Sequence, residues 1–170
     1  MMPIRNLESV IESPEHRVSF TMASDDKAPG AARTFTREML SAWGLNDLMD
    51  RTVLIVSELT TNAERHGGTP GGIECCVDAD GQVVADHITL TLAAQEGIVG
   101  IEVEDNSPLP PIPRVSGPDS LDGRGLLLVT AEADAWTACA NEDGSGKRVL
   151  AVVKRREAAP CGPTPTAHPF

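Results

Sequence analysis

The chain has 170 residues, a net charge of −11 and 41% hydrophobic residues. That fits one globular domain with a sizeable core. The acidic balance argues against nucleic acid or an anionic membrane as the main partner. Four cysteines without C-x-x-C spacing and the lack of an 18-residue apolar run point to reduced thiols in a cytoplasmic protein rather than a secreted or membrane-spanning one. The charge is uneven. Residues 67–145 hold 14 Asp and Glu against only Arg114 and Arg124, a net of −12.

In chain order, residues 1–15 are polar and mixed and read as a flexible arm. Val18, Phe20 and Met22 alternate with Arg17, Ser19 and Thr21, the pattern of a half-buried strand over 16–22. Ser24, Asp25, Asp26 and Pro29 open a helix that runs to about Trp43 and stops at Gly44. Asn46 or Asp47 caps a second helix, which continues to His66 and ends at Gly67 and Gly68. Residues 69–86 read as a hairpin insertion. Strands follow at 88–92 and 98–104 across a turn containing Gly97. Residues 106–122 carry five prolines and no periodicity, a loop long enough to suggest function. A short glycine-led helix at 123–130 and strands at 133–140 and 148–154 complete the domain, taken as residues 16–157. The proline-rich tail, 158–170, reads as disordered. The order implies an α/β (α+β) two-layer sandwich: one mixed, mostly antiparallel sheet with helices on one face.

Three segments carry candidate chemistry. On the second helix, Val53, Val56, Leu59, Thr60 and Ala63 share an arc of about 120°. Glu58, Asn62, Arg65 and Arg51 lie across from it. That is the pattern of an amphipathic helix with a solvated face. Glu58 and Asn62 at i, i+4 also place two oxygen ligands together, which suits Mg²⁺ held with phosphates and water. The second segment is Asp105-Asn106-Ser107 at the mouth of a strand, where a carboxylate can cap a turn or accept from an exocyclic amine. The third, Gly123-Arg124-Gly125-Leu126, exposes backbone N–H groups to an anion at a helix start. Gly144 to Arg148 lacks the first Gly and final Ser/Thr of a Walker A loop.

Together these segments resemble the GHKL ATPase superfamily, which includes gyrase, histidine kinases and MutL. Glu58-x-x-x-Asn62-Ala63-x-x-His66 resembles the N box, Asp105-x-Ser107 the G1 box, and Gly123-x-Gly125-Leu126 the G2 box. Within that superfamily the chain is most similar to the small bacterial anti-sigma-factor serine kinases, over roughly residues 16–154. The resemblance implies a Bergerat-type ATP-binding fold with ATP and Mg²⁺ as cofactors. It assigns Glu58 as general base, Asn62 to Mg²⁺ and Asp105 to the adenine amine. Gly123, Arg124, Gly125 and Leu126 would meet the phosphates, with His66, Ser107 and Lys147 also at the nucleotide and residues 108–122 as lid. Ser107 stands at the G1 glycine, and Arg148 stands where relatives often place a Thr that helps hold adenine. The insertion at 69–86 is longer than such relatives lead one to expect.

The implied activity is transfer of the ATP γ-phosphate to a serine of an antagonist protein, together with sequestration of a sigma factor. The alternative is an ATP-gated interaction module without phosphotransfer. A histidine-kinase fragment fits less well, because no helix pair with a phosphoacceptor His precedes residue 16. Relatives in the subfamily often dimerise, so the resemblance allows a homodimer. Six of the 14 basic residues (Arg51, Arg65, Arg114, Arg124, Lys147 and Arg148) are expected on or beside the nucleotide site. Their placement would offset the acidic middle, leave its remaining acid facing a basic partner, and reconcile a polyanionic ligand with the global sign.

Overall fold

The computed structural model describes residues 6–67, 87–106, 122–140 and 146–156. The 69–86 insertion, all of the 108–122 lid except Asp122, and the 158–170 tail lie outside these residues, as do Ser107, Cys75 and Cys76. Five strands form one sheet: β1 (His16–Ala23), β2 (His87–Gln95), β3 (Ile98–Asp105), β4 (Ala135–Ala140) and β5 (Lys147–Lys154). Their spatial order is β1-β2-β3-β5-β4. The sandwich matches the expected fold class, and every described strand pair is antiparallel.

The local chemistry explains the joints. Gln95 pairs with Ile98, leaving the two-residue turn Glu96-Gly97, with φ of 44° and 75°. Positive φ at both central residues marks a type I′ hairpin, whose twist matches the strands it joins. α1 (Ala28–Ala42) has Pro29 in its first turn, where a missing N–H costs nothing. Gly44, at φ 71°, carries the chain off its end. A 3-10 turn, Asn46–Leu48, leads into α2 (Met49–Gly67). α3 (Asp122–Glu132) completes the helical layer.

Val18, Phe20 and Met22 of β1 face the helices, as their alternation requires. They join Ile88, Leu90 and Leu92 of β2, Val99, Ile101 and Val103 of β3, and Ala151 and Val153 of β5. From the helices come Ala32 and Leu40, Ile55, Val56 and Leu59, and Val129. The Tyr-free, aliphatic composition therefore produces a core of branched chains, with the stack of Phe20 on Phe35 at its edge.

The other sheet face carries a correction. Residues 6–15 were expected within a flexible arm. Instead Leu7–Ser9 forms a 3-10 turn capped by Asn6, and Leu7 and Ile11 are buried. They pack with Ala93 and Leu150 in a second, small cluster. The sheet is shaped to receive them: a Cβ on Gly100 would lie 2.5 Å from Leu7 Cδ1 and 2.9 Å from Ile11 Cδ1. Beyond this patch the outer face is polar. Ser19 is hydrogen-bonded to Thr91 at 2.9 Å and Thr21 to Thr89 at 3.0 Å.

Candidate functional site

α2 sets the frame. Its buried face comprises Thr52, Val53, Ile55, Val56, Leu59, Thr60 and Ala63, wider than the expected arc by Thr52 and Ile55. Thr60 is tolerated there because its hydroxyl donates to the Val56 carbonyl at 2.6 Å. One flank faces α1, where Arg33 donates to Ser57 Oγ at 3.0 Å. Glu58 and Asn62 are half-buried on the opposite flank. α3 packs along that side, since Arg51, on the same helical stripe, donates to the carbonyl of Glu132 at its end.

The direction of α2 follows from the same arginine. Arg51 Nη1 also donates to the Lys154 carbonyl at 2.9 Å. The start of α2 therefore lies at the end of β5, and Lys154 pairs with Ile98 at the start of β3. α2 thus runs alongside β3 in the same sense, and Asn62 and His66 lie toward the end of the sheet where Asp105 sits. α3 finishes at Arg51, so its first turn, with Gly123, Arg124, Gly125 and Leu126, is the end farther from Arg51. The three sequence segments thus converge toward one end of the layer between sheet and helices.

At that end the last residue of β3 pairs with the first of β5: Asp105 faces Lys147. Strand alternation puts Asp105 on the same side as Val99, Ile101 and Val103, toward the helices. Lys147 Nζ lies 3.4 Å from Asp105 Oδ2, and the two side chains are only 7% and 5% exposed. Desolvated charges this close attract each other strongly, and removing either one forfeits that attraction at a buried position. Gly146 makes the approach feasible, because any Cβ there would collide with the Asp105 carbonyl.

Two expectations change. Arg148 does not stand beside Asp105. It pairs in register with Glu104 and Cys139 on the other sheet face, and Lys147 is the residue opposite Asp105. Arg51 does not lie at that end of the layer either. Besides the carbonyls of Glu132 and Lys154, it meets Asp134 Oδ2 at 3.1 Å and tethers α2 to α3 and β5 at the opposite end. Ser107 lies outside the described residues. The side chains of Arg65, His66 and residues 122–126 are likewise undescribed.

Among the described residues, no group of His, Cys, Asp and Glu could hold a metal ion by itself. The donor set fits a cation that takes only one or two protein oxygens, from Asn62 and Glu58, and completes its shell with phosphate and water. Among the described residues, no helix is long and apolar enough to cross a membrane.

Comparison with known proteins is consistent with this architecture. The crystal structure of the RsbU and RsbW domains of Rv1364c from Mycobacterium tuberculosis is similar in fold, with a TM-score of 0.54 at 17% identity. The match covers 87% of this chain and 39% of that one, so this chain spans well under half the length of the protein it resembles. No protein-family model matches the chain, and no curated protein matches it.

Proposed function

We propose that the chain is an ATP-binding regulator of the anti-sigma-factor serine kinase type. In this reading Mg-ATP lies between α2, the end of β3 and the start of α3. The observation that carries the reading is the convergence of Asn62, Asp105 and the first turn of α3 at one end of the helix–sheet layer. The resemblance of the three boxes and the likeness in fold to a chain bearing RsbU and RsbW domains support it.

The chemistry asked of the protein is positioning and charge neutralisation. Asn62 would offer its amide oxygen to Mg²⁺, which neutralises phosphate charge when bound. The first N–H groups of α3, which have no acceptor within the helix itself, would face phosphate oxygens, where the helix dipole favours an anion. Glu58, one turn before Asn62 on the same flank, would take the proton of an attacking serine hydroxyl on an antagonist protein. A small phosphoacceptor protein and a sigma factor are the proposed partners, with cytoplasmic location and a homodimer as parts of the same reading.

Titration calorimetry with Mg-ATP tests the reading directly. The wild type should bind, Asn62→Ala should lose at least tenfold in affinity, and no binding by the wild type would end the proposal. Glu58→Gln should keep ATP affinity within about threefold while its slow phosphate release to water falls by about 10²-fold or more. An unchanged rate would remove Glu58 as the base. Asp105→Ala is a poor probe, because it also removes the carboxylate paired with the buried Lys147 ammonium and so disturbs the fold as well as any ligand contact.

A further inference from the structure

We infer that β4 and the flank of α3 above it form a surface for a second copy of this chain. Two copies pair their β4 edges antiparallel about a two-fold axis, which joins the two five-stranded sheets into one and sets the α3 helices side by side. This deepens the homodimer of the proposed function by naming the paired surface, and it rests on fold and charge rather than on nucleotide binding.

Two observations carry it. β4 is an edge of the sheet, with β5 on one side and no described strand on the other. Soluble proteins blunt such edges with Lys, Pro or other charged residues. Ala135-Trp136-Thr137-Ala138-Cys139-Ala140 has none of these, whereas the opposite edge, β1, carries His16 and Arg17. The helix above the edge is equally bare. Trp136 Nε1 donates to Thr130 Oγ1 at 3.0 Å, so the Thr130 side of α3 faces β4. Leu127, one turn earlier on the same stripe, is 69% exposed, the most exposed large apolar side chain among the described residues. Ala131 is exposed next to it. From Leu127 to Ala140 only Glu132 and Asp134 carry charge, and Arg51 engages both. An apolar helix flank continuous with an uncharged strand edge has the character of an interface.

Charge and symmetry name the occupant. Copies of a chain with a net charge of −11 repel each other in general. On this flank the two carboxylates are offset by Arg51, so a second acidic copy can approach. A partner recognised by charge would find no counterion here. An antiparallel strand edge is also complementary to itself about a two-fold axis, the commonest symmetry of soluble oligomers. Residues opposite each other on antiparallel strands share a face, so both helical layers lie on the same side of the joined sheet. Leu127 of each copy is then covered by the α3 of the other.

Sedimentation equilibrium of the full chain, without nucleotide, is the test. The wild type should reach the mass of two chains of 18.0 kDa. Leu127→Glu and Thr137→Lys, shown to be folded by their thermal transitions, should each weaken the dimer tenfold or more, because each sets like charges against each other across the axis. Thr21→Lys, on the β1 edge, should leave it within threefold. A wild type that stays monomeric at about 100 μM overturns the proposal, since even a weak specific interface forms there. So does a dimer that survives both substitutions, or one broken by Thr21→Lys instead, which would put the contact at β1. A dimer that binds no Mg-ATP would keep this surface and end the nucleotide reading, and a monomer that binds Mg-ATP would do the reverse. Should one variant fail to fold, the other decides.

Discussion

Gly146 lies so close to the backbone of Asp105 that a Cβ on it would stand 1.9 Å from the Asp105 carbonyl oxygen and 2.9 Å from Asn106 Cα. The atoms it would meet are main chain at the end of a paired strand, which cannot swing aside as a side-chain tip can. Gly146→Ala must therefore displace the start of β5. Overpacking of this kind costs about 1–3 kcal/mol. Thermal unfolding should show a midpoint lowered by roughly 2–12 °C, at about 2–4 °C per kcal/mol for a chain of this size. The same shift pulls Lys147 from Asp105, so Mg-ATP affinity should fall with it. A variant as stable as the wild type would mean that the two strands are not held in this register.

Arg51 joins three elements through one guanidinium. It donates to the Glu132 carbonyl at 2.7 and 3.2 Å and to the Lys154 carbonyl at 2.9 Å, and meets Asp134 Oδ2 at 3.1 Å. Lys would keep the charge but could not span the same fork. Arg51→Lys should cost about 1–2 kcal/mol and Arg51→Ala about 2–3 kcal/mol, since carbonyls near the end of α3 lose their donor. The Asp134 carboxyl feels burial, which raises its pKa, but the Lys154 N–H and Arg51 outweigh this and hold it below its ordinary value. Its contribution is present above the unfolded value and is lost as pH falls through the folded one. The variants should therefore lose less than the wild type on acidification, as thermal melts between pH 7 and pH 3 would record.

The misplacement of Arg51 shows what the sequence could convey. A helical wheel records angle, and Arg51 does share the stripe of Glu58 and Asn62. It says nothing of position along the axis, and the 11 positions from Arg51 to Asn62 span about 16 Å. Only the tertiary contacts with Glu132 and Lys154 show that the Arg51 end of the stripe is a tether, at the other end of α2 from Asn62. Lys147 and Arg148 illustrate a similar limit. Adjacent residues on a strand point to opposite faces, so an error of one position exchanges the sheet's two sides. The strands and helices themselves were legible to within about three residues at their ends, because Val18, Phe20 and Met22, or Val53, Val56 and Leu59, repeat with the period of the element they build. Residues 6–11 were not, because Leu7 and Ile11 sit among polar neighbours and are buried only by a socket that Gly100, Ala93 and Leu150 assemble from distant strands.

Thr52 is wholly buried in α2, and among the described residues its Oγ1 has no hydrogen-bond partner. Its neighbour in type, Thr60, is equally buried but donates to Val56. An unmatched buried hydroxyl forfeits its hydration without return. Thr52→Val keeps the branched shape and removes the polar atom, so it should stabilise the fold by about 1 kcal/mol. Thr60→Val breaks a hydrogen bond and frees a helix carbonyl, and should be destabilising by a similar amount. Urea unfolding of the two variants checks both signs. A loss of stability in Thr52→Val would show that the hydroxyl has a partner.

Glu102 poses the opposite case, a carboxylate that the fold makes costly. It lies on the outer sheet face opposite Thr91 and Leu150. Burial pushes its carboxyl above the ordinary carboxylate range. Arg148 pulls it back, Glu104 adds to the rise, and Arg17 and Glu8 act in opposite senses. A raised folded value means that the native chain binds this proton more tightly than the unfolded chain. Between the two values the native state carries more protons, so stability from this group falls as pH rises through that window. Above it the cost is fully present. Glu102→Gln removes that cost while keeping the shape. It should raise the thermal midpoint at pH 7.5 by about 1 °C or more, the discount reflecting partial solvent screening and the lost attraction to Arg148. Below the unfolded value both chains are neutral at this position, and the advantage should vanish. Melts of the pair at pH 7.5 and pH 3.5 decide the matter: an equal gain at both would assign the effect to packing and not to charge.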